Sequence, residues 1–335
     1  PEFEPDICHF TRPYGYEVQC GYLIVPENRS RPDSPSIRIH VATFKSTNPD
    51  PKPDPVIYVA GGGGVNQLAF SEYYLNNGGN DILQERDYIM YNQRGAHLND
   101  PSLVCPDDTN LFWALARQDL SPRERADRKI ESRLACHDAL LEKGIDLTAY
   151  NTVETAADVN DLRTALGYDK INLYGTSSGT RTILTIMRNH PEGIRSVILD
   201  SVYPPQVGLY STVAQSVDRV FSLLFEECAA DPDCNQKYPN LEATFYQTVN
   251  ELNANPASVE LSRGTVLVDG GFFMDAVYTN FYSTRAIPRL PSWIQAASQG
   301  DFTGLKNTFE GILSDTGTAI AIGFEWSLQC NEEVP

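Results

Sequence analysis

Residues 170–180, KINLYGTSSGT, carry the change of period on which the fold turns. Ile171 and Leu173 belong to a short apolar strand, Gly175-Thr176-Ser177-Ser178-Gly179 interrupts it, and Thr180 to Asn189 continues at helical spacing. The order is strand, sharp turn, helix, with a serine at the turn. The pattern G-x-S-x-G needs glycine two before and two after the serine, because a nucleophile lifted clear of the backbone sits in strained φ/ψ space and a Cβ at either position would strike the adjacent strand or helix. A Gly/Ser loop without chemistry is the alternative, and the strand before and helix after argue against it. Ser177 is the candidate nucleophile, and the backbone N–H of Ser178 a candidate oxyanion donor.

Working outward, Val56 to Ala60 is a continuous apolar run that ends in Gly61-Gly62-Gly63-Gly64. Buried parallel strands have this composition. Four glycines after one let backbone N–H groups approach a ligand, which makes Gly62 and Gly63 candidates for the other half of an oxyanion hole. Asp87 to Tyr91 (DYIMY) is a further strand, and it runs into Asn92-Gln93-Arg94-Gly95-Ala96-His97. Loops at the carboxyl ends of parallel strands border active sites, so His97 is a candidate site residue. Asn151 and Glu154 have capping-box spacing for a helix that Gly167 ends, with Val153, Ala157, Leu162 and Leu166 on its inward face. Ser196 to Leu199 (SVIL) follows the elbow helix as another strand. Residues 16–45 alternate at period two on either side of a Pro/Ser/Asp turn, an antiparallel lead-in. Pro1-Glu2-Phe3 is compatible with a cloning-derived start. The fold class expected is α/β: a mostly parallel, doubly wound sheet with helices on its faces.

After Pro205 the alternation of strand and helix stops. Helical patterns dominate from Ser211, broken by a tight loop at Asp231-Pro232-Asp233-Cys234 and by one small β element, SVELSRGTVLVDG. Residues 1–205 are therefore expected to form the core and 206–335 a mainly helical cap insertion.

The 335 residues are 41% hydrophobic and 21% charged, with a formal net charge of −18, so nucleic acid and anionic membranes are repelled. No run of 18 apolar residues suggests a membrane span. Seven cysteines stand as Cys8/Cys20, Cys105/Cys136, Cys228/Cys234 and a lone Cys330. No C-x-x-C pair or histidine cluster has zinc spacing, and no metal or cofactor is expected. Pairing of neighbours in order is the simplest connectivity, although sequence alone leaves it open. Three local disulfides suit an exported protein, extracellular or in the cell envelope, with its signal peptide removed.

A serine nucleophile needs a histidine base oriented by a carboxylate, and in a strand-turn-helix site the chain order is Ser, acid, His. His190 is the one histidine after Ser177, about 20 Å along the same helix at 1.5 Å per residue, which is too far. His9, His40 and His137 fall in the lead-in and a lateral helix. Asp200, at a strand end, has the position of an acid but also that of an ordinary turn or capping aspartate. The expectation is that further strands beyond residue 335 carry the Asp, the His and the partner of Cys330, and that these 335 residues alone are nearly inactive.

Several stretches together carry a resemblance: GGGG (61–64) after a strand, NQRG (92–95) with Cys105 ten residues on, YGTSSGTR (174–181), NHPEGIRSVILDSVYPP (189–205), EECAADPDCNQKYP (226–239) and SLQCNEEVP (327–335). In this order they resemble the alpha/beta-hydrolase proteins of the tripeptidyl aminopeptidase and proline iminopeptidase type, from about Cys8 to Pro335. The resemblance implies an eight-stranded core with a helical cap after the sixth strand, Ser177 as nucleophile, Ser178 with Gly62 or Gly63 as oxyanion donors, and hydrolysis near the free N-terminus of peptides. It also makes Glu332 or Glu333 a candidate for binding the substrate ammonium, against the alternative of a solvated acidic pair. The chain departs from the family pattern at Gly63, at Asn92 to His97 and at Ser178, which bears on substrate range more than on reaction class. Two other readings stand beside the aminopeptidase: a carboxylesterase acting on small acyl esters, and a non-catalytic binding module.

Overall fold

The computed structural model describes residues 1–105, 108–318 and 320–333. The apolar runs form the centre of a seven-stranded sheet. Its strands are β1 (Glu2–Asp6), β2 (Val18–Pro26), β3 (Ser36–Phe44), β4 (Val56–Val59), β5 (Tyr88–Tyr91), β6 (Ile171–Thr176) and β7 (Ile194–Asp200), in the order β1-β2-β3-β5-β4-β6-β7. β4 runs parallel to β5 and β6, and β6 parallel to β7, while β1, β2 and β3 join as an antiparallel arm.

Period-two alternation sends side chains of the central strands to two separate cores. Ile57, Val59 and Leu173 meet Ala156, Val159 and Leu162 of the helix Thr152–Ala165, and Ile183 and Ile186 of the elbow helix Ser178–Asn189. On the opposite face Val56, Tyr58 and Met90 pack with Leu68, Leu75 and Leu83. Burial on both faces is why these strands read as unbroken apolar runs. The disulfides join Cys8 to Cys20, Cys105 to Cys136 and Cys228 to Cys234, and Cys330 is an exposed free thiol.

The Asn151 side chain accepts from Glu154 N at 2.9 Å, and Gly167 takes φ +76° just past the helix end. Glu154 does not close the capping box; its carboxylate holds Arg29 instead. Val153 is 52% exposed, so it lies off the inward face, and that face is filled by Ala156 and Val159. Residues 2–6 are a strand rather than an appendage, pairing with β2 from Glu2↔Ile24 to Asp6↔Cys20. The tight loop expected at Asp231 is a short helix, Pro232–Lys237, capped by the Asp231 side chain.

The described residues divide into two compact units, one containing residues 1–106, 133–208 and 317–335, the other 107–132 and 209–316. This differs from the expected division at 205/206 in two places. Trp113 and Ala116 belong to the second unit because they bury in its aromatic core with Phe221, Phe245 and Phe273. The helix Ile322–Glu332 belongs to the first unit because Phe324 and the preceding Ala321 pack with Leu103, Leu140 and Tyr150. Both segments are far in sequence from the cores they join. The second unit also contains an antiparallel hairpin of β8 (Ala257–Leu261) and β9 (Gly264–Val268). Among the described residues no helix is long and apolar enough to cross a membrane, and no group of His, Cys, Asp or Glu side chains is arranged to hold a metal ion.

Candidate active site

Ser177 stands between β6 and its helix at φ 53°, ψ −123°, a conformation an L-residue adopts only when its surroundings impose it. The glycines explain how the turn fits. A Cβ on Gly179 would lie 2.1 Å from Val59 O, and one on Gly175 would lie 2.5 Å from Ile183 Cδ1. Backbone bonds hold the strained residue from both sides. Ser177 N donates to Asp200 O at 3.0 Å, and Thr180 N donates to Ser177 O at 2.9 Å. The Thr180 hydroxyl donates to the same carbonyl at 2.6 Å and accepts from Tyr203 N at 2.8 Å. Ser177 itself is exposed, and its Oγ makes no hydrogen bond to any described residue. Ser178 begins the helix, so its N–H is one of the donors a helix leaves unused. Its Oγ is buried without a hydrogen-bond partner among the described residues.

The glycine loop lies against the same turn. A Cβ on Gly61 would meet Ser177 Cβ at 2.9 Å, so the loop start and the serine touch. Gly62 and Gly64 take φ +74° and +77°. Gly64 N donates to Gln93 Oε1 at 3.2 Å, and Gly64 O accepts from Ala321 N at 2.9 Å. The structure therefore brings Ser177, Ser178 and the Gly61–Gly64 loop together at the carboxyl ends of β4 and β6.

The histidines are distributed differently. His190 ends the elbow helix, its N–H bonded to Ile186 O. His9 and His40 stack edge to face at 5.4 Å in the antiparallel arm, and His137 pairs with Asp138 on an exposed helix surface. His97 follows β5 with its carbonyl bonded by Asn92 Nδ2 at 2.6 Å.

Asp200 is exposed at the end of β7, and its carboxylate accepts from Tyr174 Oη at 3.3 Å and from Ser201 Oγ at 3.1 Å. It takes no backbone N–H in these bonds, so it is not the capping aspartate that its position suggested. Burial first, and then the charge of Asp200, push the Tyr174 phenol above its ordinary value.

Glu332 and Glu333 are engaged within the protein. Glu332 accepts from Thr152 N at 2.5 Å and Thr152 Oγ1 at 2.8 Å, and pairs with Arg181 Nε at 3.1 Å. Glu333 pairs with Arg181 Nη1 at 2.8 Å and accepts from the Tyr203 hydroxyl. The alternative of a solvated acidic pair does not describe them. Sequence reasoning missed Thr180, Arg181 and Tyr203; an arginine within the elbow helix, where burial was expected, was the available signal.

Comparison with known proteins adds the family. A family model described as alpha/beta hydrolase fold matches residues 54–300. A tripeptidyl aminopeptidase of Streptomyces lividans is 28% identical over 194 residues, covering 56% of this chain and 36% of that protein. The serine protease Hip1 of Mycobacterium tuberculosis is 24% identical over 221 residues, covering 64% of this chain and 42% of the relative. These matches span about two-fifths or less of the relatives' length. Among solved structures, a proline iminopeptidase-related protein from Thermus thermophilus aligns at 17% identity and TM-score 0.31, covering 55% of this chain and 44% of that one.

Proposed function

This chain belongs to the alpha/beta hydrolase fold family, and we propose that it carries the nucleophile of a secreted serine hydrolase that cleaves peptide bonds near a free N-terminus. One observation supports the reading most: Ser177 is exposed at φ 53°, held by backbone bonds, with the glycine loop against it. Ser177 Oγ attacks the substrate carbonyl carbon, and the carbonyl oxygen becomes an oxyanion held by the N–H of Ser178 and of Gly62 or Gly63. A histidine base takes the serine proton and returns it to the leaving amine, and water then releases the acyl group by the reverse sequence. His9, His40, His137 and His190 stand away from the elbow, and His97, on the loop after β5, departs from the Ser-acid-His chain order. We therefore assign the base and its orienting carboxylate to residues outside positions 1–335; full turnover by residues 1–335 alone would make His97 the base instead. The three disulfides favour an oxidising compartment, extracellular or in the cell envelope. The peptide preference rests on the names of the relatives, tripeptidyl aminopeptidase and serine protease.

A panel of chromogenic substrates given to the complete protein tests this. Amides of free-amino di- and tripeptides are expected to turn over, and N-acetylation is expected to abolish cleavage. Turnover of simple esters with none of amides would make the protein a carboxylesterase. Failure of Ser177 to react with a fluorophosphonate would make it a binding module.

A further inference from the structure

We propose that Glu332 and Glu333 brace the oxyanion hole instead of receiving the substrate, by locking the helix Ile322–Glu332 to the nucleophile elbow at one end while its other end supports the glycine loop. The inference rests on the reading of Ser177 as nucleophile and assigns its supporting residues.

At the elbow end, Arg181 stands one helical turn after Ser177 and is 8% exposed. Its guanidinium pairs with both glutamates and lies 5.0 Å over the Tyr203 ring, and the Tyr203 hydroxyl donates to Glu333. From Tyr203 the path continues through its N–H to Thr180 Oγ1 and from that hydroxyl to Ser177 O. Bonded groups thus run without a gap from Glu333 to the carbonyl of the nucleophile. Glu332 adds a second anchor at Thr152, where a carboxylate at a helix N-terminus satisfies an orphan N–H and complements the dipole.

At the other end, a Cβ on Gly63 would stand 3.3 Å from both Glu325 Cα and Leu328 Cδ2, and Ala321 N holds Gly64 O. The helix Ile322–Glu332 is about 16 Å long at 1.5 Å per residue, one rigid element that touches the glycine loop along its first two turns and the elbow helix at its last. Oxyanion donors act only when held near the place where charge develops, and a displacement of about 1 Å costs about 100-fold in rate. A helix fixed at both ends supplies that constraint. The same bonds disfavour substrate recognition, because an incoming ammonium would displace a largely buried Arg181 and leave its charge uncompensated.

The test uses the complete protein with Glu333→Gln and Tyr203→Phe, the second removing only a hydroxyl. Two readouts are compared: the second-order rate of Ser177 labelling by an uncharged fluorophosphonate, and kcat and KM on a free-amino peptide amide. The brace predicts that labelling and kcat fall together, about 10- to 100-fold in Glu333→Gln and less in Tyr203→Phe, with KM little changed. Unchanged labelling with a KM raised on the peptide would overturn it, because the carboxylate would then be reading the ammonium. Wild-type rates in both variants would also overturn it. If Glu333→Gln fails to fold, Tyr203→Phe decides alone. Absence of labelling in the wild-type protein is a different failure, that of the serine-hydrolase reading itself.

Discussion

The two ends of the same strands are built to opposite rules. Before β4, Asp54 is 3% exposed and its carboxylate takes Asn172 Nδ2 at 2.7 Å, Arg86 at 2.6 Å and Arg195 at 2.9 Å. Asn172 in turn accepts from Ser196 Oγ at 2.6 Å, so one network ties the amino ends of β4, β6 and β7. Burial alone would raise the Asp54 carboxyl, yet Asn172 and the two arginines hold it below the usual carboxylate range. The carboxyl ends are strained instead. Of the four described non-glycine residues with positive φ, Leu98, Ser177 and Ser201 follow β5, β6 and β7. Ser178 Oγ is left without a partner there as well. One end satisfies its polar groups and stabilises the sheet; the other stores strain of a kind that persists where chemistry requires it.

The largest effect should come from replacing the strained serine itself, which removes the nucleophile and the strain together. In the complete protein Ser177→Gly should lower hydrolytic activity by about 10⁴-fold or more. The same change should raise unfolding free energy by about 1 kcal/mol, since glycine takes φ 53° readily. A variant both inactive and less stable in denaturant titration would break the contrast between the ends. At the amino ends, Asp54→Ala leaves Arg86 without its carboxylate and should destabilise by about 2 kcal/mol, while Ser177 labelling of the folded fraction stays at wild-type rate. Slower labelling would mean that the two ends are not independent.

Smaller effects lie away from both ends. Gly167 is at φ +76° with open space around it, so Gly167→Ala should cost about 1 kcal/mol through backbone strain alone. The weakest is at His40 in the antiparallel arm. Burial lowers its imidazole from the ordinary histidine value and His9 adds to this, while the Ile7 carbonyl and Asp6 oppose it. Its neutral form is therefore favoured on folding, and the unfolded chain takes up a proton first. The contribution is complete above about pH 6.5 and declines as pH falls below that value. Melting temperatures between pH 7.5 and 5 should fall more in the wild type than in His40→Leu; equal slopes would remove the histidine from the account.

What the sequence revealed depended on the range of the interactions. The elbow, the glycine loop and the Asn151 to Gly167 helix were legible because each is specified within a few residues, by glycine placement and a cap. Helix Pro232–Lys237 was local too, but Pro232 at its start read as a turn although proline is well placed in a helix's first turn. The unit boundaries were not legible, because Trp113 and Phe324 find their cores across long stretches of chain. Neither was the role of Glu332 and Glu333, which is set by Thr152, Arg181 and Tyr203. An acidic pair near the end of a helix looks the same whether it meets water, an ammonium or a buried arginine.

The most direct measurement is intact-mass and peptide mapping of the complete protein after reaction with a fluorophosphonate. The account predicts a single stoichiometric adduct, located on Ser177 and absent from Ser177→Gly. An adduct on another serine, or none in a folded and otherwise active preparation, would contradict it.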